Sequence, residues 1–221
     1  MTPTASATTP PDSRAAWLGW TIALGALSFV VTQGWLVPLD HLIAGWVAAL
    51  RSPALDGPMH AMTWFGGSVW TIVGLAGLSY LAWRRGGQAS ALLMSGTFLI
   101  GAVMEIVLRL WVSQWRPDTM AIPEPLDPFT RFELAGFPSG HAFRSAFIFG
   151  WLAVGARGWP RAGGWRALCL VMIALVGFTR VYLNRHWATD VVGSWLVVLM
   201  TLAMARCWEE ARASRRASAG G

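Results

Sequence analysis

The stretch Thr179-Arg-Val-Tyr-Leu-Asn-Arg-His-Trp-Ala-Thr-Asp190 opens onto a long apolar run, 187–206. A helix beginning near His186 would put His186 and Asp190 four residues apart on one face. A carboxylate one turn below an imidazole can accept its ring N–H, fix the tautomer and leave the other nitrogen free to attack. Arg180 adds a permanent charge whose planar fork suits phosphate, and a helix start attracts anions. The competing reading is that Arg and His line a membrane interface, where polar side chains are tolerated. The rest of the chain separates the two.

Of the 221 residues, 55% are hydrophobic and 13% charged, and the mean hydropathy is +0.48. That is too apolar for an ordinary soluble domain and fits a polytopic membrane protein. The formal charge of +6 comes from basic residues that are all Arg, gathered in short connections between apolar runs. This distribution marks membrane topology and argues against a nucleic-acid partner. Cys169 falls in an expected span and Cys207 at the end of one, so they read as apolar packing residues and not as a disulfide or metal site.

Six spans are expected, near 17–36, 59–83, 89–112, 140–156, 167–183 and 187–206. Between the first two, 39–50 carries Leu42, Ile43, Trp46, Val47 and Leu50 at helical spacing and reads as an amphipathic interfacial helix. The fold class is thus all-α: a six-transmembrane-helix bundle with one interfacial helix. A disordered tail is expected over 1–13, a single domain over 14–208 and a second disordered tail over 209–221. Pro53 and Pro58 are expected to break the chain before the second span, and the Pro-rich connection 113–138 contains no apolar run.

Six spans put both termini on one side. Arg14, Arg84, Arg85, Arg157, Arg161, Arg166, Arg206, Arg212, Arg215 and Arg216 lie on it. Seven others lie opposite, of which Arg109, Arg116 and Arg180 belong to the candidate site, leaving four. The positive-inside rule then places both termini in the cytoplasm, in a bacterial inner membrane, with the site on the periplasmic or extracellular side. On that outer side the topology collects three polar clusters. Arg109 and Arg116 are seven apart, two helical turns, with Pro117 ending the helix. In Pro138-Ser-Gly-His141, Ser139 can cap a helix, Gly140 lets an oxyanion approach backbone amides, and His141 can donate a proton beside it. The third cluster is the opening one. Glu105, four residues before Arg109, is a carboxylate deep in an expected span and a candidate support for that guanidinium.

Together the clusters resemble the type-2 phosphatidic acid phosphatase superfamily, which includes membrane lipid phosphatases and soluble vanadium haloperoxidases. The family pattern is a basic residue, six others and Arg-Pro; then Pro-Ser-Gly-His; then Ser-Arg, five others, His, three others and Asp. Here Arg109 stands where Lys is usual and Thr179 where Ser is usual; the rest matches. The resemblance implies a six-helix bundle that hydrolyses a phosphate ester or anhydride. It implies His186 as nucleophile, Asp190 orienting it, and His141 protonating the leaving oxygen and later activating water. Arg109, Arg116, Arg180, Ser139 and the Gly140 amide would hold the phosphoryl oxygens. It calls for no metal and no cofactor. The partners it implies are membrane lipids and a lipid phosphate or diphosphate of the polyprenyl diphosphate, phosphatidic acid or phosphatidylglycerophosphate class. A lipid A phosphatase or lipid phosphotransferase would use the same residues, and a small transporter is the non-enzymatic alternative. The sequence carries no signal for an oligomeric state.

Overall fold

The structure is a computed structural model that describes residues 12–119, 127–155 and 161–219. The expected N-terminal tail therefore lies almost entirely outside the described residues. Helix α1 (Ser13–Thr32) is capped by Asp12, whose carboxylate accepts the Arg14 amide, and ends before Gly34 at φ 71°. Next come α2 (Val37–Ala49), α3 (Pro53–Thr63) and a 3-10 turn, Trp64–Gly66. Helix α4 (Ser68–Trp111) runs for 44 residues but departs from helical geometry at Gly87, φ 71° and ψ −170°. There the chain folds back. Ser79 Oγ lies 3.2 Å from Ser95 Oγ sixteen positions on, where a straight helix would hold the two roughly 24 Å apart. Gly adopts such a φ without the cost a Cβ imposes. Helix α5 (Pro128–Leu134) is short; α6 (Gly140–Gly155), α7 (Ala162–Tyr182) and α8 (Ala188–Ala219) complete the described elements.

Helices α6 and α8 sit at the centre. Phe143, Ala146, Phe147 and Ile148 of α6 meet Val197, Val198 and Met200 of α8, with Leu24 of α1 and Leu78 and Met94 of α4 closing the cluster. Phe98 of α4 stacks on Phe143 at 5.6 Å and meets Phe147 edge-on at 5.1 Å, both favourable ring geometries. Outward-facing positions are equally apolar: Ile22 and Phe29 of α1, Val69, Ile72 and Leu99 of α4, and Leu170 of α7 are all exposed. Among the described residues, α1, α4, α7 and α8 are long and apolar enough to cross a membrane. An apolar exterior over helices of that length is what a lipid environment requires. The chain is an all-helical membrane protein.

Several sequence expectations change. The second span was expected from 59, but α4 begins at Ser68, because Pro53 opens a separate helix at the position where its missing N–H costs nothing. Pro58 sits within α3 instead of ending it. In α2, Leu39, Leu42 and Trp46 face outward, as does Leu50 just beyond it; what the sequence did not indicate is that Asp40 is buried, with Val47. The connection after α4 contains α5, started by Asp127, which accepts the Phe129 and Thr130 amides. Finally, the C-terminal segment expected to be disordered from 209 is helical through Ala219. Ala, Glu and Arg are strong helix formers, the Arg212 guanidinium covers the Trp208 ring at 5.2 Å, and the Ser13 hydroxyl donates to the Glu210 carboxylate.

Two glycines set how closely the elements approach near the site. A Cβ at Gly66 would lie 2.5 Å from the His141 carbonyl oxygen, so the 3-10 turn packs directly on the start of α6. A Cβ at Gly193 of α8 would lie 2.5 Å from the ring of Phe137, itself fully buried. Gly193→Ala should therefore push Phe137 aside and destabilise the protein by about 1–3 kcal/mol. A lower midpoint of unfolding in a denaturing-detergent titration is the expected result; an unchanged midpoint would show that the ring relaxes freely.

Candidate active site

Helix α7 ends in a Schellman motif that delivers His186. Asn184 takes the left-handed conformation at φ 55°, its amide bonds the Val181 carbonyl at 2.9 Å, and the Arg185 amide bonds the Arg180 carbonyl at 3.0 Å. His186 follows at once, before the helix begins at Ala188 and not within it. The four-residue spacing still closes: His186 Nδ1 lies 3.1 Å from Asp190 Oδ2 and 3.0 Å from the Gly136 carbonyl oxygen. A carbonyl oxygen only accepts, so Nδ1 carries the proton and Nε2 holds the lone pair. Asp190 Oδ2 also accepts the Trp187 amide at 2.9 Å, the backward half of a capping box. Burial, and then the charges of Arg180, Arg116 and Arg109, hold the His186 pKa well below its ordinary value. Its imidazole is neutral at pH 7, the form that can act as nucleophile.

The start of α6 is tied to the same turn. Across the cis Phe137–Pro138 bond the chain reaches Ser139, whose amide donates to the Asp190 carbonyl at 3.1 Å. The Ser194 hydroxyl donates at 2.8 Å to the Ser139 carbonyl. The Ser139 hydroxyl lies 3.5 Å from the Ala142 amide, a long cap that leaves its oxygen weakly engaged. Gly140 opens the helix and His141 follows.

Arg109, Arg116 and Arg180 enter from three segments. Arg109 donates from one terminal nitrogen to Glu105 at 2.7 Å and to the Pro138 carbonyl at 3.0 Å, and its guanidinium lies 5.0 Å from the centre of the Phe132 ring. Arg180 donates to the Thr63 hydroxyl at 2.8 Å. Arg116 is held through its backbone: its amide meets the Leu134 carbonyl at 3.1 Å, beside the Gly136 amide on the Gln114 carbonyl at 2.7 Å. Burial and then the nearby Arg109 lower the Arg116 pKa from its ordinary value. In all three, Nε is buried with no hydrogen-bond partner, as is Asp190 Oδ1. Buried donors are ordinarily satisfied, and three unsatisfied guanidinium donors near one imidazole can each bond an anion. Arg144, one turn into α6, donates to the Gly140 carbonyl at 2.9 Å and adds charge beside them.

The structure thus brings together every residue singled out in the sequence: His186, Asp190, His141, Ser139, Gly140, Arg109, Arg116, Arg180 and Glu105. It adds Thr63, Gly136, Gln114 and Asp40, which sequence reasoning missed. Asp40 is 2% exposed and accepts both the amide and the hydroxyl of Thr189. A single acid within an otherwise apolar helix was the available signal. Among the described residues, no group of three or more His, Cys, Asp or Glu is placed to hold a metal ion.

An apolar helical bundle with three arginines gathered near a buried imidazole is an arrangement suited to phosphoryl chemistry at a membrane. The PAP2 superfamily family model matches residues 88–213, more than half of the chain. The phosphatidylglycerophosphatase B of Bacillus subtilis (strain 168) is 25% identical over 178 residues, covering 77% of this chain and 83% of that protein. The crystal structure of a transmembrane PAP2-type phosphatidylglycerolphosphate phosphatase from Bacillus subtilis superposes with a TM-score of 0.71 at 22% identity, covering 90% of this chain and 96% of that one. The crystal structure of Aquifex aeolicus LpxE gives 0.56 at 20% identity, over 74% and 93%. The chain belongs to the PAP2 superfamily.

The Glu105–Arg109 pair lies outside the family motif. Glu105 Oε1 also borders Gly140, where a Cβ would meet it at 2.7 Å, so the carboxylate sits against the start of α6 while gripping one arm of the guanidinium. Glu105→Gln should lower turnover, and lower it much less in an Arg109→Lys background, where the fork is gone. A double-mutant cycle on turnover should give a coupling of about 0.5–3 kcal/mol; additive effects would remove the pairing from the catalytic account.

Proposed function

We propose that the chain crosses the membrane six times, through α1, the two arms of α4, α6, α7 and α8. In this reading it hydrolyses a lipid phosphate monoester or diphosphate through a phosphohistidine at the outer end of the bundle. One observation carries the chemistry: the unsatisfied, buried Nε atoms of Arg109, Arg116 and Arg180 adjoin an imidazole whose Nδ1 proton is committed. Phosphoryl transfer needs little from the protein beyond positioning and charge stabilisation, and this arrangement offers both.

In the first step the His186 Nε2 lone pair attacks phosphorus, and the bond from phosphorus to the leaving oxygen breaks. That oxygen takes a proton from His141. The imidazolium developing at His186 is stabilised by Asp190, which accepts from Nδ1. In the second step water attacks phosphorus, the P–N bond breaks, its electrons return to His186, and His141 takes the proton from the water. Lipid alcohol (or lipid monophosphate) and inorganic phosphate are released. An anionic phosphoryl group bound beside His141 favours a proton there, so proton uptake is coupled to substrate binding.

The lipid nature of the substrate is supported beside His141. A groove of ≈ 750 Å³ runs between the end of α3, the 3-10 turn and the start of α4, lined by Thr63, Trp64, Phe65, Val69, Trp70 and His141. Thr63 is the residue bonded by Arg180, so the apolar groove adjoins the anion cage. An amphiphile with its phosphate on the arginines and its tail in the groove would place its ester oxygen toward His141. The named Bacillus subtilis relative favours phosphatidylglycerophosphate among such lipids.

Purified protein should release phosphate from a panel of lipid phosphates with EDTA present, and vanadate should compete with substrate. His186→Ala should lower the rate by more than about 10³-fold and abolish a labelled phosphoenzyme that the wild type accumulates. A strict requirement for added divalent metal, or substantial turnover by the variant, would reject the mechanism.

Sidedness, supported by the Arg distribution, has its own test. In a background lacking Cys169 and Cys207, Asp127→Cys should react with an impermeant thiol reagent in outer-permeabilised cells, and Gly163→Cys should not. The reverse pattern would place the site on the cytoplasmic side.

A further inference from the structure

The first turn of α8 is completed by a residue from elsewhere in the chain. Its N-cap position is Trp187, whose indole offers no acceptor for an amide. The amide of Thr189, the second helical residue, is instead bonded by Asp40 Oδ1 at 3.0 Å, across 149 positions of sequence. Asp40 Oδ2 accepts the Thr189 hydroxyl at 2.6 Å and Gln114 Nε2 at 3.0 Å. A buried carboxylate here does for α8 what an N-cap aspartate does for its own helix, and its charge faces the positive end of the helix dipole.

From Asp40, two short paths lead to the proton on His186 Nδ1. One runs through Thr189 to its neighbour Asp190, whose Oδ2 is the first acceptor of that proton. The other runs through Gln114, whose backbone carbonyl accepts the Gly136 amide at 2.7 Å; the Gly136 carbonyl is the second acceptor. We infer that Asp40 is a positioning residue for the nucleophile, fixing through Thr189 and Gln114 both acceptors that orient the His186 ring and aim its Nε2. The inference rests on His186 being the nucleophile. It gives α2 a part in the reaction: that helix anchors the turn on which the imidazole stands. A carboxylate suits the place because all three groups it meets donate to it, and a carboxylate only accepts.

The test uses the full chain in detergent with a radiolabelled lipid phosphate, comparing wild type with Asp40→Ala, Asp40→Asn and Gln114→Ala. Formation of the labelled phosphoenzyme should slow about 10²-fold in Asp40→Ala, the scale of a misplacement near 1 Å. Asp40→Asn keeps one acceptor for the Thr189 amide and should recover part of that loss, while Gln114→Ala should lose about tenfold. KM and the vanadate inhibition constant should stay within about threefold of wild type, because the arginines and the Gly140 amide are untouched. Should Asp40→Ala not fold, Asp40→Asn and Gln114→Ala carry the test. Wild-type rates in both would overturn the inference alone, as would a rate loss matched by an equal loss of vanadate binding, the mark of a collapsed site. A wild type that releases phosphate without forming a phosphoenzyme would overturn the nucleophile reading, and this inference with it.

Discussion

Helix α8 begins inside protein, where water cannot satisfy its first amides, and the rest of the site follows from how that problem is solved. Asp190 reaches back to the Trp187 amide, and Asp40 reaches across to the Thr189 amide. Each carboxylate is thereby fixed in place, and Asp190 has one oxygen facing His186. The imidazole cannot choose its tautomer freely, because the Gly136 carbonyl also demands a donor at Nδ1. A structural need, capping a buried helix start, thus also fixes the ring orientation and tautomer of His186.

The same end of the bundle carries an unusual concentration of positive charge for so apolar a molecule. Arg109, Arg116, Arg144 and Arg180 gather there, yet among them only Arg109 has a carboxylate salt bridge, to Glu105, in the described residues. Isolated buried charge is costly in a low-dielectric setting. Backbone carbonyls of Pro138 and Gly140 and the Thr63 hydroxyl offset part of the cost without neutralising the field. An anion placed among these arginines would offset part of the remaining cost. Apolar packing in the middle of the bundle makes this tolerable: the Phe98, Phe143 and Phe147 cluster and the α6–α8 contact hold the helices whatever the electrostatics of their ends.

What the sequence made legible was what is local. The spacing of His186 and Asp190, the Ser-Gly start of α6 and the four-residue step from Glu105 to Arg109 each depend on one helical turn, and each is visible in a short window. The apolar runs identify the long helices for the same reason. Asp40 was not legible, because its partners lie 74 and 149 positions away and its own helix reads as an apolar strip. Leu39, Leu42 and Trp46 face outward while Val47 and the lone acid are buried, and nothing in the local spacing marks that acid. Pro53 was taken as a break although Pro is well suited to open a helix, and this moved the start of α4 by nine positions, from 59 to 68. Asp127-Pro128 carries the same start signal for α5, hidden within a Pro-rich connection. The C-terminal segment was misjudged on polarity, although its Ala, Glu and Arg content favours a helix.

Depth separates the phosphatase from the transporter that the intramembrane charges also suggested. Transport sites sit near the midplane, where a helix bundle can rock about them. Here the charged groups cluster where α6 and α8 start and α7 ends, and the middle of α6 and α8 is closed by Phe147, Val197, Val198 and Met200, all buried. The apolar groove adjoining His141 is lined by the end of α3, the 3-10 turn and the start of α4, including Thr63 and Trp70. A polar head and an apolar tail would each find their own environment across the short distance between the Arg180–Thr63 contact and the Trp64–Trp70 wall. A soluble phosphate ester would gain only the first of the two, so under the proposed function affinity should depend on the tail as well as on the phosphate.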